Sequence, residues 1–336
     1  MCKTVLLFLF FFVFFNYPAF SADSPPKAWI EAVVEMSGVF ETSSGDKNAR
    51  FTSVTRDFDC EGLSLGVLNW TIGQDSFAGL FKQFDAADID EITSATMPNY
   101  GNQFVEVINL GLAKETGKAL KIVRSWQRPA YIEGECDDHK REGVTLESHT
   151  LLEELKRFLA HPKIKHAQVT AMAEQASFAS RLASKWAKRQ RGMDAKVRFN
   201  EFAFFYDLVT QNGTRYISAL IDVVSQSNKS EEWQSYYNRA STSWIQIGWD
   251  GVNPKHEIDG ERNATRWRGA FDRGEVDLSD TRLLLFAAIR GMLAKRPYST
   301  DTINRKGLMI MGFGWTHGDF YDYRQRYKQL DQMTIE

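Results

Sequence analysis

The chain has 336 residues, 43% of them hydrophobic and 13% aromatic, enough for one large core or two smaller ones and far from the composition of a disordered chain. Lys and Arg number 41 against 43 Asp and Glu, a net charge of −2. That balance excludes the global basic field of a nucleic-acid binder, so no nucleic-acid partner is expected, and it leaves the choice among other substrates open.

The chain opens on MCKTVLLFLFFFVFFNYPAFSAD, with one lysine, an unbroken apolar run from Val5 to Phe15, and small residues at Ala19 and Ser21. This is the layout of a secretory signal peptide, read here as residues 1–21. The run is shorter than the roughly 20 residues a membrane span needs. The expected product is a single periplasmic or secreted domain over 22–336, with no stable membrane insertion after cleavage. Its remaining cysteines are Cys60 and Cys136. In an oxidising compartment a disulfide between them fits, and so do two buried thiols. Neither cysteine has a CxxC or HxxxH companion, so no metal site is expected.

In chain order, AWIEAVVEMSGVFE carries Trp29, Ile30, Val33, Val34 and Phe40 on one helical face and predicts a first helix ending near Glu41. TSSGDKNARFTS is polar and turn-rich. GLSLGVLNWTIG mixes glycine with aliphatic and aromatic residues, so that a strand or hairpin competes with a helix start, and a small β element is expected near 61–74. DSFAGLFKQFD and NQFVEVINLGLAKETGKALKIVRSWQ read as helical, and GECDDHKREG as a loop. The longest helical block is interrupted only by Pro162, which predicts two helices meeting at His161–Pro162. The second of these carries Arg181, Lys185, Lys188 and Arg189, a basic face of the kind that is most often simply solvated. FNEFAFFYDLVTQNG is apolar on nearly all sides and predicts a buried central helix. DTRLLLFAAIRGMLAKR predicts a further helix stopped by Pro297, and GLMIMGFGWTHGDFYD a glycine-punctuated turn that brings His317 and Asp319 to a surface. No internal repeat or domain linker is present, and the whole reads as mainly α with a small β element.

Glycosidic cleavage needs a carboxylic acid to protonate the leaving oxygen and, usually, a carboxylate to activate water or attack directly. Glu41, Asp57, Asp59 and Glu61 are the candidates. A glutamate at the C-terminal end of an apolar helix is suited to stay protonated, because the negative end of the helix and low-dielectric neighbours disfavour its charge. An aspartate among polar turn groups is suited to stay ionised. On pattern alone, a solvated loop edge accounts for the same acids.

Glu41, then Asp59 at a spacing of 18, then DCEGLSLG, resembles the chitosanases of glycoside hydrolase family 46, which carry a helix-end Glu, an Asp at this spacing and a D-G-R-G-Y-T turn. The resemblance implies a two-lobed, mainly helical (α+β) fold of the lysozyme superfamily with a β-hairpin at the catalytic cleft. It implies Glu41 as general acid, Asp59 as general base and Ser64 in place of the threonine that holds the attacking water. Cys60, Glu61 and Leu63 stand where that family has Gly, Arg and Tyr. Glu41-Thr42 followed by SLGVLN also resembles the Glu-Ser and S-x-G-x-x-Q pair of lytic transglycosylases, and FYDLVTQNG resembles the chitosanases' buried helix, with Asp207 at its acid. An acid on such a helix is more often the structural partner of an arginine.

The expected function is therefore an exported glycosidase acting on β-1,4 links of an amino-sugar polysaccharide, peptidoglycan or chitosan, by inversion and without metal or organic cofactor. Asp57, Glu61, Trp70 and His317 are the candidate substrate-binding residues. A lytic transglycosylase and a non-catalytic wall-binding protein on the same fold are the alternatives.

Overall fold

The structure, a computed structural model, describes residues 25–42, 50–55, 61–128, 145–146, 148–212, 217–226, 235, 238, 254–276, 278–294 and 299–333. The expected signal peptide, Asp57, Asp59, Cys60 and Cys136 lie outside the described residues.

The described chain is mainly helical, with three small antiparallel sheets. Helix α1 (Lys27–Thr42) is followed by β1 (Val54–Thr55), β2 (Ser64–Leu65) and β3 (Trp70–Thr71), which pair antiparallel in the order β1-β2-β3. Helices α2 (Asp75–Phe81), α3 (Ala86–Thr96), α4 (Gly101–Leu112) and α5 (Thr116–Ser125) come next, then the pair β4 (Gln127–Arg128) and β5 (Thr145–Leu146). The chain continues through α6 (His149–Ala160), α7 (Pro162–Arg191), α8 (Phe199–Asn212), α9 (Ile217–Gln226), α10 (Pro254–Asp272), α11 (Leu278–Met292) and α12 (Ser299–Met311). It closes with the hairpin β6 (Phe313–Thr316) and β7 (Asp319–Asp322), and with α13 (Arg324–Asp331). No helix among the described residues is long and apolar enough to cross a membrane.

Local chemistry explains most of the boundaries. Asp85 and Ser148 cap α3 and α6, their side chains accepting from Asp88 N (2.8 Å) and Leu151 N (3.3 Å). Pro162 sits in the first turn of α7, where its missing N–H costs nothing, so the proline both ends α6 and starts α7 as expected. The segment from Asn102 to Gln127 is two helices rather than one: Lys114, at φ 62°, turns the chain between α4 and α5. The stretch GLMIMGFGWTHGDFYD also departs from the expected turn. Its first five residues finish α12, Gly312 at φ 72° reverses the chain, and the remainder forms β6 and β7.

The buried apolar side chains form one continuous cluster. Phe77, Phe81, Phe104 and Phe158 meet ring to ring at its α2, α4 and α6 side, and Trp186, Phe204, Phe205 and Phe286 at its α7, α8 and α11 side. Helix α7, 30 residues and so about 45 Å long, joins the two regions, touching α1, α2, α6, α8 and α9. The buried Trp29 ring of α1 packs on Phe199 and Phe202 of α8 and donates its Nε1–H to Leu330 O of α13 at 2.8 Å, fastening the first helix to the last. The basic face of α7 is paired in part: Lys185 and Arg189 reach Asp222 of α9 at 2.6 and 3.4 Å, whereas Arg181 and Lys188 are exposed; beyond that face, Arg191 reaches the buried Glu201 of α8.

Helix α10, not anticipated from its polar sequence, holds the C-terminal hairpin. Its Asn263 amide accepts from Trp315 N (2.6 Å) and donates to Trp315 O (2.8 Å), while Trp267 Nε1 donates to Phe313 O (2.8 Å). Asn263 is fully buried, so its sequon offers no glycosylation site in the folded chain. The Trp267 ring lies over Gly307 of α12 so closely that a Cβ at 307 would run into it. Gly307→Ala is therefore expected to lower unfolding free energy by about 1–3 kcal/mol in urea titrations, through overpacking alone. Wild-type stability in that variant would show that α10 and α12 separate freely.

Candidate functional site

The expected site is divided between what the structure describes and what it does not. Glu41 lies in the last turn of α1, as expected, but its side chain is outside the described residues. Asp57 and Asp59 belong to the stretch that joins β1 to β2 in sequence. Described fully are residues on either side of these two segments.

The last turn of α1 is wedged in place. Phe40, 4% exposed, meets Tyr321 of β7 edge-on at 6.2 Å, and the Arg305 guanidinium of α12 lies 5.2 Å from its ring centre. Two residues earlier, Gly38 leaves room for the buried Arg50, whose Cδ would stand 2.7 Å from a Cβ at 38. Arg50 Nη1 donates to Glu35 O at 2.9 Å. The chain that leaves α1 at Thr42 is thus tied back to the same helix before β1 begins.

In the three-stranded sheet, Ser64 pairs with Thr55 on one side and Thr71 on the other. Its buried hydroxyl lies 2.8 Å from Thr71 Oγ1, which itself donates to Asn69 O at 3.1 Å. Thr71 has one proton for two acceptors, so either hydroxyl can be the donor in the Ser64–Thr71 bond. Asn69 takes a left-handed conformation (φ 50°), which asparagine tolerates, and its side-chain oxygen accepts from Thr55 Oγ1 at 3.1 Å.

The sheet is anchored by Gln168 of α7, a residue with no distinguishing pattern around it in the sequence. Fully buried, Gln168 accepts from Val67 N (3.2 Å) and donates to Phe51 O (3.1 Å). Gly66, at φ 76°, is required beside it, since a Cβ there would stand 2.5 Å from Gln168 Oε1. Beyond β2 and β3 the pairing continues through Ile72 N to Leu63 O (3.0 Å) and Gly73 N to Glu61 O (2.7 Å), so Glu61 is held by its backbone at the mouth of the β1–β2 connection. Trp70, expected to stack on a sugar, is 4% exposed and packs beside Gly66. A ring buried to that extent offers no open face to a ligand, and its role is in the core.

Asp207, from the apolar helix α8, is fully buried and faces two cations of α12: Arg305 Nε donates to it at 2.7 Å and Lys306 Nζ at 3.1 Å. Lys306 also contacts Gln211, one turn further along α8. Burial pushes the Asp207 carboxyl up, but the two cations outweigh it and hold the carboxyl below its ordinary value.

His317 stands at the tip of the β6–β7 hairpin in a left-handed conformation (φ 55°), two thirds buried, with Nε2 3.1 Å from Asp301 Oδ1 of α12. His256, at the start of α10, brings its Nε2 to 4.0 Å from the same oxygen. Burial would raise the Asp301 carboxyl, yet contact with His317, and the charges of His317, His256 and Arg305, bring it down to about 2. Burial holds the His256 imidazole below its usual value. The three donors are the one group among the described residues arranged to hold a metal ion. Sequence spacing could not show it, because the residues come from three separate elements.

In comparison with known proteins, no family model, curated protein or solved structure matches the chain.

The Asp207 pairing yields a direct expectation. Asp207→Asn leaves two buried cations without their carboxylate and should cost about 3–5 kcal/mol in unfolding free energy. Since the folded-state pKa is depressed, the wild-type advantage is complete above about pH 4 and falls as pH drops through the folded value. Denaturant titrations of both proteins across the acidic range measure the difference. An advantage that grows on acidification would contradict the assignment.

Proposed function

We propose that the protein is an exported glycoside hydrolase that cleaves β-1,4 bonds of an amino-sugar polysaccharide, with Glu41 as general acid and Asp59 as general base. The observation that carries this reading is a helix ending at Glu41-Thr42, clamped at Phe40, and followed in chain order by a small antiparallel sheet whose β2 carries Ser64. That order, helix-end glutamate, Asp-bearing connection, sheet hydroxyl, is the one the chitosanase resemblance implies, within a two-lobed fold of the lysozyme superfamily.

In this reading Glu41 protonates the glycosidic oxygen as the bond breaks, and Asp59 takes a proton from a water on the opposite face of the sugar. Ser64 stands in this reading for the threonine that helps to hold that water, its hydroxyl sharing a hydrogen bond with Thr71. The mechanism is inverting, which calls for carboxyl groups roughly 6.5–9.5 Å apart. Peptidoglycan is favoured over chitosan as the substrate: the signal-peptide pattern places the chain where cell-wall polymer is met, and Glu61 stands where the chitosanases carry arginine.

The reading is tested by assaying release of reducing ends from peptidoglycan and from chitosan. Glu41→Gln and Asp59→Asn are each expected to reduce turnover by about 10²–10⁴-fold. Full activity in Asp59→Asn, with 1,6-anhydro ends among the products, would replace the hydrolase by a lytic transglycosylase. Binding of either polymer with no product from the wild type would leave a wall-binding protein. Ser64→Ala removes one hydrogen bond of about 1 kcal/mol, so a loss of about fivefold in kcat with little change in KM is expected. An unchanged kcat would remove Ser64 from the water site.

A further inference from the structure

We propose that His256, Asp301 and His317 bind a divalent transition-metal ion, zinc first among them, which fastens the tip of the β6–β7 hairpin to the starts of α10 and α12. The proposal stands apart from the hydrolase reading and does not depend on it.

The donor set is two imidazole nitrogens and one carboxylate oxygen, and these atoms all lie within 4.8 Å of one another. Ligand atoms around a tetrahedral zinc with bonds near 2.0–2.1 Å are separated by roughly 3.3 Å. The two measured separations, 3.1 Å for His317 Nε2 and 4.0 Å for His256 Nε2 from Asp301 Oδ1, bracket that value. The third separation, between the two imidazoles, lies within 4.8 Å, so a bound metal would draw them together. Two imidazoles select against magnesium and calcium, which take oxygen ligands, and suit zinc, nickel or copper. The exposure of His317 leaves the fourth position to a water.

The hairpin tip is held beside these donors by a buried acid. Asp259, one helical turn after His256, is fully buried, and its Oδ2 accepts from Gly318 N at 2.7 Å, gripping the residue that follows His317. Its other oxygen, Oδ1, is buried with no hydrogen-bond donor, at 3.8 Å from Arg262 Nη1. The Arg262 guanidinium is the cation that faces it. His317 (φ 55°) and Gly318 (φ 91°) are the two turn residues between the paired Thr316 and Asp319, a hairpin turn in which both residues take positive φ, and the Asp259 bond to Gly318 holds that turn beside Asp301. Asp259 is thus a positioning residue, and the carboxylate and the histidine pair it serves come from positions 256, 301 and 317, far apart in the chain.

The test is a calorimetric titration of the untagged full chain, freed of metal by chelator, with Zn²⁺ alone. One equivalent is expected to bind, without competition from Mg²⁺, and at a hundredfold excess over Kd to raise Tm by roughly 5 °C. Co²⁺ in its place should give the visible bands of a four-coordinate N/O site. His317→Gln, at an exposed turn that tolerates substitution, and His256→Ala should each weaken binding by at least about tenfold, and Asp259→Asn by about 10–100-fold. Circular dichroism shows whether each variant is folded, and the His317→Gln result decides should the others not fold. Absence of zinc binding by the wild type, an unchanged Tm at saturation, or equal uptake by His317→Gln would overturn the proposal.

Discussion

The buried contact of Asp207 with Arg305 and Lys306 is the constraint on which the C-terminal half of the molecule rests. It joins α8 to α12 where both helices are enclosed by other elements. A carboxylate and two cations are poor material for a core unless each meets its counterpart, because an unpaired buried charge costs several kcal/mol. The pairing therefore permits one mutual register of α8 and α12. What packs against them inherits that register: α7, α1 and α13 against α8, and α10, α11 and β6 against α12.

The same contact reaches the candidate site. Arg305 faces Asp207 on one side and the Phe40 ring on the other, so the charge pair that sets α12 against α8 also sets the end of α1. The triad carries two positive charges and one negative, and it lies beside a helix end whose partial charge is negative. On the other side of α1, Arg50 and the Gln168 bridge to α7 fix where β1 and the Gly66 turn run. Phe40 and Arg50, on the two sides of residues 43–49 in sequence, are both buried, which suits supports that must stay still.

What could be read from the sequence was whatever local chemistry decides. The break at Pro162, the buried face of α8 and the end of α1 follow from a ring without an N–H, a run of phenylalanines and a helical spacing. The β6–β7 hairpin was legible only as a turn, because its strands are held by Asn263 and Trp267 from about 50 residues away. Helix α10 itself was hidden by its polar composition: a few apolar and amide side chains carry its buried face. Trp70 looked like a sugar platform because it follows a turn, but the turn folds inward against Gln168 and takes the ring with it. An arginine partner for Asp207 could be anticipated in kind, whereas its position, 98 residues on, could not. The His256, Asp301 and His317 group had no sequence signal, since its geometry exists only after α10, α12 and the hairpin have assembled.

The central functional claim is that a water, not a protein carboxylate or the sugar's own hydroxyl, attacks the anomeric carbon. Proton NMR of the anomeric region during the first minutes of digestion of a β-1,4-linked amino-sugar oligomer tests it most directly. The account predicts that α-anomeric reducing ends appear first and relax later to the equilibrium mixture. Initial β-anomers, or products with no reducing end, would contradict it.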